Sequence, residues 1–201
     1  MLKRRRFTIE EYQRMGEAAI LDGDERVELI EGEIVEMIPI GPPHASVVAR
    51  LVALFTARLG DRVIAWPQNP LVLRRQTSQF QPDLALLRPR PDFYARRHPE
   101  PTDAVLVIEV MDSSVARDRR IKLPIYARGR VGEVWLVHAE AATVEVCRHP
   151  HGSDYRDRRV LDREGSLAPL AFPELRLTVG DLVERPVRAD VEVLLRASRA
   201  M

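Results

Sequence analysis

The sequence predicts an α/β fold: a mixed central sheet flanked by helices, with an extra N-terminal hairpin and C-terminal strands. Two features lead there. Helix-like and strand-like segments alternate along the chain instead of falling into separate blocks, and AVLVIEV at 104–110 is apolar on both alternating faces, as a strand covered from both sides must be. At 201 residues and 22.9 kDa the length suits one domain. That domain is expected over 1–187, with 188–201 a tail forming a short exposed helix.

Taken in order, Thr8 and Glu11 in FTIEEYQRM form a capping box that starts a short helix. RVELIEGEIVEMI reads as two short strands around a tight turn at Glu31-Gly32. PPHASVVARLVALFTARLG opens with prolines, spaces Val47, Leu51, Leu54 and Phe55 at helical intervals and stops at Gly60, which predicts a helix. Strands are expected in RVIAWP, PLVLRR, PDLALL and AVLVIEV, separated by Pro, Asn, Gln and Ser punctuation. Between the last two lies a loop over 88–101, with one helical turn around DFYARR. A helix over SVARDRRIKLPIYARG follows, ending near Gly129, and Ser113 and Ser114 sit in the loop that caps it. EVWLVHA and TVEVCRH form a hairpin, and DYRDRRVLDREG with LRLTV continues the sheet edge.

Composition removes several classes of function. Hydrophobic residues at 45% and charged residues at 30% describe a chain that folds by itself. The basic start MLKRRR turns polar where a signal peptide needs an apolar stretch, and ASVVARLVALF is broken by Arg50, so no membrane association is expected and the cytoplasm is the expected location. A single cysteine, Cys147, can form no internal disulfide and reads as a small buried thiol. Net charge is +1, so contact with nucleic acid has to come from local patches: KRRR at 3–6, the arginines of 88–98, or RDRR at 117–120. No G-x-G-x-x-G, P-loop or G-x-S-x-G is present, and His149 and His151 lack the further ligands a zinc site needs.

Chemistry concentrates elsewhere. Among 31 basic residues only Lys3 and Lys122 are lysine, which marks Lys122 as a place where a compact ammonium is wanted and a guanidinium does not fit. Asp83 stands at the front of one strand, after Pro82, and Glu109 near the end of the next. If those strands pair antiparallel, the two carboxylates meet. Two buried like charges are unfavourable without a partner, and a divalent cation such as Mg²⁺, content with two carboxylates, a carbonyl, waters and phosphate oxygens, removes the difficulty. Lys122 lies four residues after Asp118 on the following helix, from where its ammonium reaches the strand end to orient a water or steady phosphoryl charge.

The series ELIEGEIVEM, PPH, QPDLALL and VIEVMDSSVARDRRIKLPIYARGRVGEVWLV resembles the Uma family of bacterial endonucleases, a branch of the PD-(D/E)xK nuclease superfamily, over residues 7–183. The resemblance implies a restriction-endonuclease-like fold. It also implies that Asp83 and Glu109 bind Mg²⁺, for which Mn²⁺ substitutes, that Lys122 is the catalytic lysine, and that DNA is the partner. The superfamily pattern places lysine two residues after the acid, where this chain has Met111, so the lysine has moved to the next helix as Lys122. Glu28 matches the family's early acidic position, as a metal ligand or a holder of water. His44 matches a family histidine that contacts a phosphate. A homodimer fits the cutting of two strands. Two rival readings stay open: a catalytically inactive nuclease-like module that binds nucleic acid or protein, and an assembly protein whose edge strands pair between copies.

Overall fold

The computed structural model describes residues 4–21, 26–37, 39–111 and 116–183, with 116–120 as backbone only. The tail over 188–201, Ser113, Ser114 and the side chain of Asp118 lie outside it.

The N-terminal part is α1 (Ile9–Glu17), then β1 (Val27–Ile30) and β2 (Glu33–Glu36). Thr8 Oγ1 accepts from Glu11 N–H at 3.1 Å and Glu11 Oε2 from Thr8 N–H at 3.0 Å, which is the expected capping box. The two strands are joined by two residues, Glu31 at φ 48° and Gly32 at φ 83°, the doubly left-handed turn that suits a tight hairpin. A side chain at position 32 would collide with Arg6 Cβ at 2.8 Å, so the glycine also admits the N-terminal strap.

After α2 (Pro42–Leu59) come five strands: β3 (Ile64–Trp66), β4 (Leu71–Leu73), β5 (Ser78–Phe80), β6 (Leu84–Leu87) and β7 (Ala104–Met111). Helix α3 (Ala116–Arg128) leads to β8 (Glu133–His138), β9 (Thr143–His151), β10 (Asp154–Leu161), β11 (Ser166–Leu167), β12 (Leu177–Thr178) and α4 (Val179–Val183). The central sheet has the order β10-β9-β8-β7-β6-β3 and is mixed: β7 and β8 are parallel, with α3 as their crossover, and the other pairs are antiparallel. On one face α2 packs Val47, Leu51 and Phe55 against Leu84, Leu86, Ile108 and Trp135. On the other, α3 brings Leu123, Ile125 and Tyr126 onto Val107, Val134 and Leu136. Among the described residues no helix is long and apolar enough to cross a membrane.

Three expectations need correction. The TSQF stretch taken as punctuation holds β5, which with β4 leaves the central sheet and joins the hairpin in a second sheet, β2-β1-β5-β4. Its polar residues are buried because they are bonded: Ser78 Oγ accepts from Glu31 N–H at 2.9 Å, and Gln79 Oε1 from Gln13 Nε2 at 2.8 Å. Hydrophobic periodicity is blind to such a strand. LRLTV does not extend the central sheet. Leu177 pairs instead with Leu167 in a two-residue ribbon, both side chains joining the α2-side core. Around DFYARR there is no helical turn, because Phe93 and Tyr94 take φ of 46° and 62°, which no right-handed helix accepts.

One buried carboxylate ties the C-terminal segment to the sheet. Glu133, 1% exposed, accepts from Trp135 Nε1 and Arg148 Nε through Oε1, each at 2.8 Å, and from Leu170 N–H through Oε2 at 2.7 Å. Glu133→Ala strands a partly buried guanidinium and two N–H groups and should lower stability by about 3 kcal/mol. Glu174→Ala, which breaks the exposed Arg62–Glu174 pair, should change it by less than about 1 kcal/mol. Urea unfolding midpoints check both.

Candidate active site

Strand alternation explains why a carboxylate sits inside an apolar run. Leu106, Ile108 and Val110 point to the α2 side and Val107 and Met111 to the α3 side, so Glu109 shares the face that α3 covers. The antiparallel register Leu84↔Ile108 then brings Asp83, one residue ahead of β6, beside Glu109. Asp83 N–H points to Glu109 Oε2 at 3.3 Å, and Val110 N–H donates to Asp83 Oδ2 at 2.8 Å. The two acids are thus locked across the strand pair by backbone amides.

Helix α3 delivers the cation. Lys122 Nζ lies 2.9 Å from Glu28 Oε2, 3.0 Å from Glu28 Oε1 and 3.8 Å from Glu109 Oε1, and 5.5 Å from the centroid of the Phe80 ring. Glu28 Oε1 also accepts from Gln81 N–H at 2.7 Å, which ties β1 to the segment leading into Asp83. All four side chains are buried: Glu28 is 2% exposed, Asp83 8%, Glu109 6% and Lys122 6%. His44, in the first turn of α2, puts Nε2 2.7 Å from Asp83 Oδ1. The five residues singled out in the sequence therefore come together in one place.

Two further residues complete the cluster, and the sequence reading does not single out either. Tyr126 donates its hydroxyl hydrogen to Glu109 Oε1 at 2.6 Å and is fully buried, its ring edge-on to Phe80 at 5.2 Å between centroids. Its spacing of four residues from Lys122, which puts both on one side of α3, is the signal that could have found it. Gln68 donates from Nε2 to Asp83 Oδ1 at 3.2 Å out of a left-handed backbone at φ 49°. No pattern in the sequence announces that turn.

The acids and Lys122 line a cleft of about 160 Å³ whose other walls include Arg26, Met37, Ile40 and Ile121. The arginines of 88–98 lie elsewhere. They follow β6 and precede β7, at the end of that strand pair opposite Asp83 and Glu109. Of the basic start, Arg5 pairs with Glu11, and Arg6 stands 3.7 Å from Glu33. His149 and His151 are exposed at the end of β9.

Burial pushes the Glu109 carboxyl up to about 7; the Lys122 ammonium opposes this, Asp83 and Glu28 add to it, and the Tyr126 hydrogen bond works against it. Burial, together with Glu109, also raises the Tyr126 hydroxyl well above its usual range, so it stays a donor. A carboxyl crowded by two others is a site short of positive charge. The donors on offer are hard oxygens, and among the described residues no three His, Cys, Asp or Glu side chains close into a ready cage. That set fits an ion such as Mg²⁺, which keeps several waters and binds through one or two carboxylates.

The raised Glu109 value has a definite sign. Between its ordinary value of 4.5 and about 7 the folded protein binds a proton that the unfolded chain releases, so this group's contribution to stability falls as pH rises through that window. Metal-free wild type should therefore lose thermal stability from pH 4.5 to 7 more steeply than Glu109→Gln. Melting curves in EDTA check the difference.

A family described as "putative restriction endonuclease", Uma2, matches residues 9–180. Among solved structures, the chain is similar to a protein of Anabaena variabilis described as a "putative nuclease belonging to DUF820", with a TM-score of 0.68 and 17% identity, covering 88% of this chain and 97% of that one. At that identity the likeness concerns the fold, which is the restriction-endonuclease-like arrangement of a mixed central sheet flanked by helices. A search of curated proteins finds no match. With the match spanning most of its length, the chain belongs to the Uma2 family.

Proposed function

We propose that the protein is a Mg²⁺-dependent endonuclease of the PD-(D/E)xK type that hydrolyses phosphodiester bonds in DNA, with Mn²⁺ able to substitute. The observation that carries this reading is the convergence of Asp83, Glu109 and Lys122 in one cleft, the acids locked by backbone amides and the ammonium 3.8 Å from Glu109. Family membership and the nuclease description of the structural neighbour support it.

In this reading Asp83 and Glu109 hold the metal, His44 and Gln68 hold Asp83 in place, and Tyr126 holds Glu109. The bound ion supplies polarisation of the scissile phosphate and a water of lowered pKa. Lys122 stabilises charge developing on the phosphoryl oxygens, as a preorganised ammonium in a cleft shielded from water can. Glu28 grips that ammonium through both oxygens, which supports a role as the lysine's anchor in place of a metal ligand or a holder of water. His44, which also lines the cleft, would be the group to meet a neighbouring phosphate. Cutting both strands of a duplex is easier with two such sites, and a homodimer would supply them. The cytoplasm is the setting in which DNA and magnesium coincide.

Met111 favours the inactive-module reading, since it occupies the usual lysine position and is buried at 5% exposure. A magnesium titration separates the two. Wild type should nick plasmid DNA in Mg²⁺, and Asp83→Ala, Glu109→Ala and Lys122→Ala should each reduce the rate by about 10²- to 10³-fold, the range expected for loss of a group that stabilises the transition state. DNA binding that survives alongside rates equal in wild type and Glu109→Ala would establish the inactive module. Tyr126→Phe should keep the fold but weaken Mn²⁺ binding about 10- to 100-fold, the usual effect of removing a group that orients a ligand. Isothermal titration calorimetry measures that loss directly.

A further inference from the structure

The loop between β6 and β7, residues 88–103, is held more firmly than a connection requires. Arg90 Nε and Nη2 donate to the two oxygens of Asp92 at 2.8 and 3.0 Å, and Arg97 grips Asp103 in the same forked manner at 2.7 and 3.0 Å. Asp103 also accepts from Glu100 N–H at 2.8 Å. Tyr94 is buried between the two guanidinium groups, which lie 5.0 and 5.6 Å from its ring, and its hydroxyl donates to Arg88 O at 2.8 Å.

All this framework supports one unusual outcome. Phe93 and Tyr94 are consecutive residues in the left-handed region, which bulky side chains seldom adopt and which persists where surrounding contacts over-determine it. Tyr94 turns inward, while Phe93 is left 68% exposed. Two of the loop's arginines, Arg88 and Arg96, are exposed and make no ion pair among the described residues. Arg88 Nε donates to Thr102 O at 3.3 Å, which anchors that side chain to the loop without spending its charge. An exposed ring on a rigid base, in a loop that carries two exposed guanidinium groups without a carboxylate partner, matches what single-stranded nucleic acid asks for: a face to stack on and cations for the phosphates.

We propose that Phe93 is a stacking platform for an unpaired base, with Arg88 and Arg96 contacting the flanking phosphates. This rests on the nucleic-acid reading above and deepens it. In a duplex interior both faces of each base are already stacked, so a lone ring selects a single strand, a frayed end or an overhang. The platform lies apart from the chemistry. Five residues of extended chain separate Asp83 from Arg88, roughly 16 Å at strand spacing, so a strand held at the acids must continue by several nucleotides to reach it. The loop thus acts as a ruler, adding affinity for unpaired strands long enough to span both points. The loop's own carboxylates offset Arg90 and Arg97, which makes stacking, and not bulk positive charge, its main contribution.

The test is binding of fluorescent single-stranded DNA of about 20 nucleotides, a length covering the largest typical single-strand site, measured by anisotropy in EDTA. Phe93→Ala should weaken binding about 5- to 150-fold, the span expected for loss of one stacked base. Phe93→Trp should restore it and Phe93→Leu should not. Wild-type affinity in Phe93→Ala or in Phe93→Leu would overturn the proposal. So would light scattering in which Phe93→Ala splits a dimer while DNA affinity holds, since the partner would then be a second copy. Binding that depends on Phe93 without cleavage in Mg²⁺ would retire the nuclease and keep the platform. Cleavage with binding indifferent to Phe93 would do the reverse.

Discussion

The ammonium of Lys122 is the interaction on which the described site depends. Glu28, Asp83 and Glu109 are all nearly inaccessible to water, and each buried carboxylate costs several kcal/mol unless a positive group or hydrogen bonds replace its solvent. Lys122 supplies that charge at 2.9 Å from Glu28 and 3.8 Å from Glu109, reaching across from α3 to bridge the hairpin and the central sheet. A guanidinium would not serve the same space, being flat and forked where this site needs a compact point charge over the Phe80 ring. In a chain written almost wholly in arginine, one lysine at this point is a chemical requirement. The register of α3 follows from it, since Tyr126, one turn further on, must reach Glu109 when Lys122 reaches Glu28.

That requirement also explains which parts of the site could be read in advance. The meeting of Asp83 and Glu109 needed only two strands consecutive in sequence and the assumption that they pair antiparallel, which is the commonest arrangement. Lys122 stood out by composition. Glu28 and His44 came only through family resemblance, because they lie on β1 and α2, and nothing local says that those elements close over the ends of β6 and β7. Gln68 was invisible for a different reason: it acts from a left-handed turn, and a glutamine in such a turn looks like any loop residue. The same blindness hid β5, where Ser78 and Gln79 are buried by virtue of partners distant in sequence. Patterns of apolar residues report which groups leave water, but not which polar groups leave it in company.

The fold divides its two larger sheets between two duties. The central sheet carries Asp83 and Glu109 on a rigid antiparallel pair whose other end holds the 88–103 loop. The smaller sheet carries Glu28 and, through Gln81, is bonded directly to the chain entering Asp83. Phe80 is the hinge of this arrangement in a packing sense: it belongs to β5 of the small sheet, yet its ring is touched by both Lys122 and Tyr126 of the helix that covers the large one. A change that loosens the small sheet is therefore felt at the lysine before it is felt at the acids.

Charge balance sets the order of events at the cleft. With three carboxylates against one ammonium and a histidine beside Asp83, Glu109 resolves the excess by keeping a proton up to about pH 7. A nucleic-acid phosphate approaching that cleft brings further negative charge into a low-dielectric space, where like charges repel far more strongly than in water. A proton on Glu109 removes one repulsive charge but adds no attraction, since a neutral carboxyl offers a phosphate no positive charge. In the proposed reading a divalent cation held by Asp83 and Glu109 would do both jobs, displacing the proton and leaving the cleft attractive to phosphate. On that reading the cation would enter before or with the phosphate, and the buried carboxylates that strain the metal-free site would be what selects for it.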